Sequence, residues 1–357
     1  LQTQDYIQGP DDAPVTISLY GDFQCVLCAR YARDLEELRA RYPADLRLVW
    51  RHFPATPDND KSALAFQAAE AAAAQGNFWD MYAVLFANQP RWLPLDAEAF
   101  QRELNIYAAL IGLDTQQFSD DLASGRFLPL IPHYQAEAAE LDIVGIPTLL
   151  INGEPLNDRD DLYGLDAAFR LARLSSRHFE EPPPFTLDPE LDYQAILETE
   201  KGTIRIDLLE ENAPLTVNNF VFLAQQGWYN GNTFFLVIPE FFAQTGDPSD
   251  TGRGYPGYTI ESERDNDLRF DRAGMVAMAA YRGDTERTGS QFFITLDTLP
   301  NHEAEWDGFY TIFGQVMEGI DVLQNLTERN EGDPLRFPAP PPGVQIWTVT
   351  IETMQKD

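Results

Sequence analysis

The feature that most limits what this chain can fold into is a run of three prolines, Pro182-Pro183-Pro184, inside the segment 178–190. Proline lacks a backbone N–H and has a fixed φ, so such a run enters neither a helix interior nor a central strand and favours extended polyproline II. The texture differs on its two sides. Before it, β-branched strands alternate with Ala-, Glu- and Leu-rich stretches of helical period. After it come short strands, Gly/Pro turns and one clear helix near 214–226. At 357 residues the chain is long for one core, and no repeat relates the halves. The expected organisation is a first domain over 1–177, a Pro-rich spacer over 178–190 and a second domain over 191–357.

In the first half, residues 14–21 read as a strand ending in a turn. A helix follows whose apolar stripe is Cys28, Tyr31, Leu35 and Leu38. A second strand runs from Leu46 to Phe53 and stops at Pro54. Residues 61–140 read as several helices. Residues 143–151 read as a strand entered through Gly145-Ile146-Pro147 and followed by the Asn152-Gly153 turn, and a closing helix covers 158–175. This is an α/β pattern with a long helical insertion.

Cys25 and Cys28 are the only cysteines, and they stand where the first strand gives way to a helix. That placement sets the first sulfur beside the unpaired amides of a helix N-terminus, whose partial positive charge favours the thiolate that attacks disulfides. The second sulfur, one turn inward, can resolve a mixed disulfide. Asp22, close by, opposes thiolate formation. Structural zinc needs about four ligands, and neither a second Cys pair nor a nearby histidine supplies them. A purely structural disulfide here closes too short a loop to stabilise much. A vestigial pair stays open as an alternative.

Far downstream, Gly145-Ile146-Pro147-Thr148 resembles the cis-proline loop that faces the dithiol in thioredoxin-fold proteins. With it, residues 1–175 resemble the DsbA-like branch of the thioredoxin superfamily, departing from its strong oxidants in the dipeptide Val26-Leu27, which holds neither Pro nor His. The resemblance implies catalytic roles for Cys25, Cys28 and Pro147, a substrate contact at Ile146, and no cofactor beyond the redox-active Cys25–Cys28 pair.

Residues 192–353 resemble cyclophilins nearly end to end, through Gly202–Leu209, Ala213–Phe220, Gly227–Gly231, Phe241–Pro248, Gly289–Ile294 and Tyr310–Val316. The resemblance implies an eight-stranded antiparallel barrel with two capping helices and peptidyl-prolyl isomerase chemistry. By motif, Phe241, Phe242 and Phe293 line the proline pocket, with Gln244 and Gln291 as polar neighbours and Phe292 as core. Rotating an X-Pro amide must overcome a barrier of ~18–20 kcal/mol, and a donor to the prolyl nitrogen lowers it. The donor position departs from the family. Its catalytic Arg is Leu236 here, its usual Asn is Ala280 and its active-site His is Tyr310. The family's Trp-Leu-Asp-Gly reads Glu305-Trp306-Asp307-Gly308. The expectation is slow or absent isomerisation with peptide binding retained; a substitute guanidinium from Arg282 or Arg287 is the minor alternative.

The 57 acidic residues against 25 basic ones give a net charge of −32, which repels phosphate backbones and argues against nucleic acid as a partner. No apolar run reaches the ~18–20 residues needed for a membrane span, and no signal segment is present in this chain. His52, His133, His178 and His302 do not cluster. Asn157–Asp161 lacks the glycine and distal Glu of a calcium loop, Asp265-Asn266-Asp267 reads as a solvated loop, and Pro334–Pro342 as a surface excursion. Two functions lead, with an enzyme active in both domains as a third reading. One is an extracytoplasmic folding factor, a thiol-disulfide oxidoreductase whose second domain holds unfolded or proline-containing client polypeptides, working with a redox partner protein. The other is a structural or assembly protein using both folds as binding surfaces.

Overall fold

The computed structural model describes residues 4–54, 61–156, 161–281, 283–298, 306–330 and 341–356. The chain divides into two compact units between Arg173 and Leu174.

The first unit is built on a five-stranded sheet of order β1-β3-β2-β4-β5, formed by β1 (Tyr6–Gln8), β2 (Val15–Gly21), β3 (Leu46–His52), β4 (Thr148–Ile151) and β5 (Glu154–Pro155). Only β2 and β3 run parallel. In β2, Val15, Ile17 and Leu19 alternate into the core, as a period of two requires. α1 (Val26–Arg41) follows, burying Cys28, Tyr31, Leu35 and Leu38 along one stripe and closing on Arg39 and Arg41, which complement its C-terminal dipole.

The insertion holds α2 (Ser62–Ala73), α3 (Phe78–Ala87), α4 (Gln89–Trp92), α5 (Ala97–Leu110), α6 (Thr115–Ser124) and α7 (Ile131–Glu140), and α8 (Leu162–Leu174) closes the unit. α2 is the hub. Ala65, Ala68, Ala69, Ala71 and Ala72 are all buried, so α3, α5 and α6 pack closely on an alanine surface. The strand expected over 143–151 is shorter than read, because residues 143–147 run as an irregular, bent segment.

The second unit holds β6 (Leu191–Thr199), β7 (Gly202–Leu208), α9 (Pro214–Gln225), β8 (Leu236–Ile238), β9 (Phe242–Thr245), β10 (Ile260–Glu261), β11 (Met275–Tyr281), β12 (Asp284–Thr295), β13 (Ile312–Glu318), α10 (Ile320–Gln324) and β14 (Ile346–Gln355). The antiparallel, strand-rich architecture expected of this half is present, with one strand more than the eight that the resemblance implies. Nine strands form one sheet of order β14-β6-β7-β13-β11-β12-β9-β8, with β10 on β12, and no ladder among the described residues joins β14 to β8. The outer edge of the short β8 is taken instead by Arg329, whose backbone exchanges two bonds with Val237, at 2.7 and 3.1 Å. The far edges meet just before β8, where Gly231 N donates to Ile346 O and Ile346 N to Asn232 O, both at 2.8 Å.

The segment 178–190 is not a free spacer. Phe179 N donates to Pro256 O at 2.8 Å, and the Phe179 ring lies 5.1 Å from that of Phe222. Asn218 Nδ2 donates to Pro184 O at 3.0 Å, and Asn218 Oδ1 accepts from Thr186 N at 2.8 Å. The prolines leave their carbonyls without partners of their own segment, and α9 supplies one. Among the described residues, no helix is long and apolar enough to cross a membrane.

Candidate functional site

β2 ends at Gly21, and the turn Asp22-Phe23-Gln24 delivers Cys25 as the N-cap of α1. Cys25 Sγ accepts from Cys28 N at 3.0 Å, and the two cysteines are joined as a disulfide with their Cα atoms 5.1 Å apart. Cys25 is half-buried while Cys28 is sealed, so the first sulfur is the one a thiol from outside can reach. No acidic residue stands in the first turn of α1 to cancel the field of its amides. Asp22 is buried and turned to the scaffold: its carboxylate accepts from Gln24 N at 2.7 Å and from Ser62 Oγ.

The helical insertion clamps this turn in a way the sequence does not signal. Gln89 Nε2, buried on α4, donates to Phe23 O at 2.7 Å and to Cys25 O at 3.0 Å. Gln24 Oε1 accepts from Lys61 N at 3.0 Å. Gly21 is required beneath the sulfurs, since a Cβ there would meet the Trp50 ring at 2.8 Å and Cys28 Sγ at 3.2 Å.

The Ile146–Pro147 peptide bond is cis. In the antiparallel register of β2 and β4, Tyr20 faces Thr148, so the next pair along is Gly21 and Pro147. The loop carrying Ile146 and Pro147 therefore lies at the same end of β2 from which the Cys25 turn departs. Around it, Val26, Leu27 and Val144 present apolar side chains to solvent, at 64%, 52% and 95% exposure.

In the second unit, β9 and β12 set Gln244 opposite Phe293 and Phe242 opposite Thr295. Gln244 Nε2 donates to Gln291 Oε1 and Gln291 Nε2 to Gly254 O, both at 2.9 Å. The Phe242 and Phe241 rings lie 4.9 Å apart, and Phe242 stands 5.7 Å from Phe293. Leu236 on β8 faces Gln244 and brings no donor. Tyr310 sets its ring 5.1 Å from Phe293. Ala280 lines a small pocket with Gly254, Tyr255 and Gln291. Phe292 points the other way, into the main core beside Phe220 and Tyr229.

One candidate does not join this cluster. Arg287 faces Glu261 across the β10–β12 ladder and donates to Thr259 Oγ1 at 3.1 Å, lining a separate groove with Pro182, Pro183 and Leu215. Its place as a substitute guanidinium is thereby corrected. Arg282, His302, Glu305, residues 157–160 and the proline-rich stretch as far as 340 lie outside the described residues. Sequence reasoning gave Trp306 no role, yet its ring stands 5.0 Å from Phe241, 5.8 Å from Phe242 and 5.2 Å from Phe293.

A family model described as cyclophilin type peptidyl-prolyl cis-trans isomerase matches residues 195–350, and one described as thioredoxin matches residues 2–169. A peptidyl-prolyl cis-trans isomerase-like 1 of Mus musculus is 42% identical over 157 residues, spanning 42% of this chain and 89% of that protein. A peptidyl-prolyl cis-trans isomerase of Synechococcus elongatus is 46% identical over 135 residues, spanning 37% of this chain and 88% of that protein. Among solved structures, BdbD from Bacillus subtilis in its oxidised form is similar at 20% identity and a TM-score of 0.41, over 48% of this chain and 96% of that one.

Proposed function

We propose a function from this premise: the chain belongs to the cyclophilin family through its second domain and carries a thioredoxin-family first domain. It is a two-domain protein-folding factor, a thiol-disulfide oxidoreductase acting on client polypeptides that the second domain helps to hold. The carrying observation is the asymmetry of the dithiol, a half-buried Cys25 capping α1 and bonded to a sealed Cys28.

A client thiolate attacks Cys25 Sγ, forming a mixed disulfide as the Cys25–Cys28 bond breaks and Cys28 leaves as the thiolate. A second client thiolate then attacks the client sulfur of that mixed disulfide. The client leaves with its disulfide, and the chain is left with two thiols, having gained two electrons. A redox partner protein removes those electrons, and the same steps in reverse reduce a client. The amides of α1 favour the Cys25 thiolate as leaving group in the second step. The half-buried edge at Ile146 and Pro147, with the exposed Val26, Leu27 and Val144, offers an extended client backbone and apolar contacts next to the sulfur.

Such chemistry belongs to an oxidising, extracytoplasmic compartment. The net charge of −32 fits protein clients and not nucleic acid. Tethering a peptide-binding module raises the effective concentration of client cysteines at the dithiol.

Insulin reduction by the full chain and by Cys25→Ser tests the redox reading. Turnover lost in the variant is expected. Equal turnover in both, or none in either, would overturn it and leave the structural or assembly reading. For the second domain, Leu236 supplies no hydrogen bond to a twisted prolyl nitrogen, and one lost donor typically costs ~10²–10³ in rate. A protease-coupled isomerase assay should therefore run at least ~100-fold below an ordinary cyclophilin. A rate matching the family's overturns the degenerate-site reading. The assembly reading draws its support from the same side chains, Leu236, Ala280 and Tyr310, which keep a surface but not a catalytic hand.

A further inference from the structure

We propose that Trp306 decides what the aromatic pocket of the second domain accepts: its indole fills the space over Phe293 that a prolyl ring needs, so proline-containing peptide binds only by displacing it. The inference rests on reading Phe241, Phe242 and Phe293 as a prolyl pocket, and adds an occupant to it.

Phe293 should floor an open pocket, yet it is only 3% exposed. Two rings from one turn cover it. Trp306 stands edge-on at 5.2 Å and 78°, and Tyr310 edge-on at 5.1 Å and 83°. Those two rings are themselves 5.2 Å apart, so they form a continuous lid. The same indole lies 5.0 Å from Phe241 and 5.8 Å from Phe242. One side chain thus touches all three walls that a bound proline would touch. An indole is larger than a pyrrolidine ring, and a close-packed site does not hold both.

The surroundings permit displacement. Trp306 is only partly buried and packs in an apolar cluster, with no hydrogen bond to its indole among the described residues. The backbone next to it is fixed separately, because Asp307 Oδ1 accepts from Phe270 N at 2.9 Å and Asp307 Oδ2 pairs with Arg269 at 3.5 Å. Gly308 follows at φ +72° with nothing within 4 Å of where a Cβ would stand. The side chain can therefore swing while the turn keeps its anchor.

The test titrates the full chain and Trp306→Leu with the tetrapeptide Ala-Ala-Pro-Phe, using Ala-Ala-Ala-Phe as control. The variant should bind the proline peptide at least ~10-fold more tightly than the native chain, a difference of ~1.4 kcal/mol. Equal or weaker binding by a folded variant overturns the proposal and leaves the prolyl pocket standing. Binding of neither peptide by either folded protein removes the pocket reading and this inference with it.

A second measurement reads the native chain, with a variant used only to assign the signal. In 5-fluorotryptophan-labelled native chain, the Trp306 ¹⁹F resonance is the one missing from Trp306→Phe. Saturating proline peptide should increase its H₂O/D₂O isotope shift as the indole moves into solvent. An unchanged isotope shift at saturation overturns the proposal.

Discussion

Burial decides the charge state of Glu70. Its carboxyl lies 3.4 Å from His52 Nε2 and 3.3 Å from the Tyr134 hydroxyl, almost wholly out of water. Desolvation pushes its pKa up to about 7, with the neighbouring Tyr6 and Tyr134 hydroxyls opposing the rise. His52 offers no compensating charge, because its own burial pushes it down to about 3. Its Nδ1 accepts from Trp50 Nε1 at 3.1 Å, so a neutral ring carries its proton on Nε2, toward Glu70. An acid whose pKa rises on folding binds a proton as it folds. The stability is therefore complete below the ordinary value of 4.5 and is lost as pH climbs from there through about 7. The full loss is ~3 kcal/mol. Urea unfolding of the first domain should show that decline, and Glu70→Gln should flatten it. A slope unchanged in the variant would assign the titration to another group.

At the scale of elements, the helical insertion holds the dithiol turn at several points, and its carbonyls through one side chain of a four-residue helix, α4. Gln89→Ala would strand the carbonyls of Phe23 and Cys25, which that amide satisfies. An unpaired buried carbonyl costs ~1–3 kcal/mol, so a fall of that size in the urea-derived stability of the oxidised first domain is expected. No fall would mean that the turn holds without α4. Nothing in the sequence announces Gln89, because a side chain capping carbonyls 66 and 64 residues away leaves no period to read. The α1 stripe and the β2 alternation are legible for the opposite reason: each repeats locally, at the period its backbone imposes. β1, at three residues, is too short to show a pattern. The aromatic walls at 241, 242 and 293 are legible because they sit in contiguous motifs. Trp306 is not, because the segment before it departs from the family's spacing. Barrel closure is equally hidden, since the edge of β8 is taken by Arg329, some 90 residues on.

For the whole chain, the question is where the second folding unit begins. A Pro-Pro-Pro run reads as a spacer on composition, yet unit two starts at Leu174, which is buried in its core together with the partly buried Phe179 and Leu187. Phe179 packs its ring against Phe222 and Trp228 and donates its amide to Pro256 O. Gly257 makes that contact possible: a Cβ there would stand 2.4 Å from Phe179 O. Burying an aromatic side chain of this size contributes ~2 kcal/mol. In a domain of this length that corresponds to ~5 °C of melting temperature. Calorimetry of the full chain should resolve two transitions, and the one that moves when Cys25–Cys28 is reduced marks the first domain. Phe179→Ala should lower the other by ~5 °C and leave the reduction-sensitive one in place. If 178–190 were a solvated spacer, neither transition would move, because truncating an exposed ring removes no buried area.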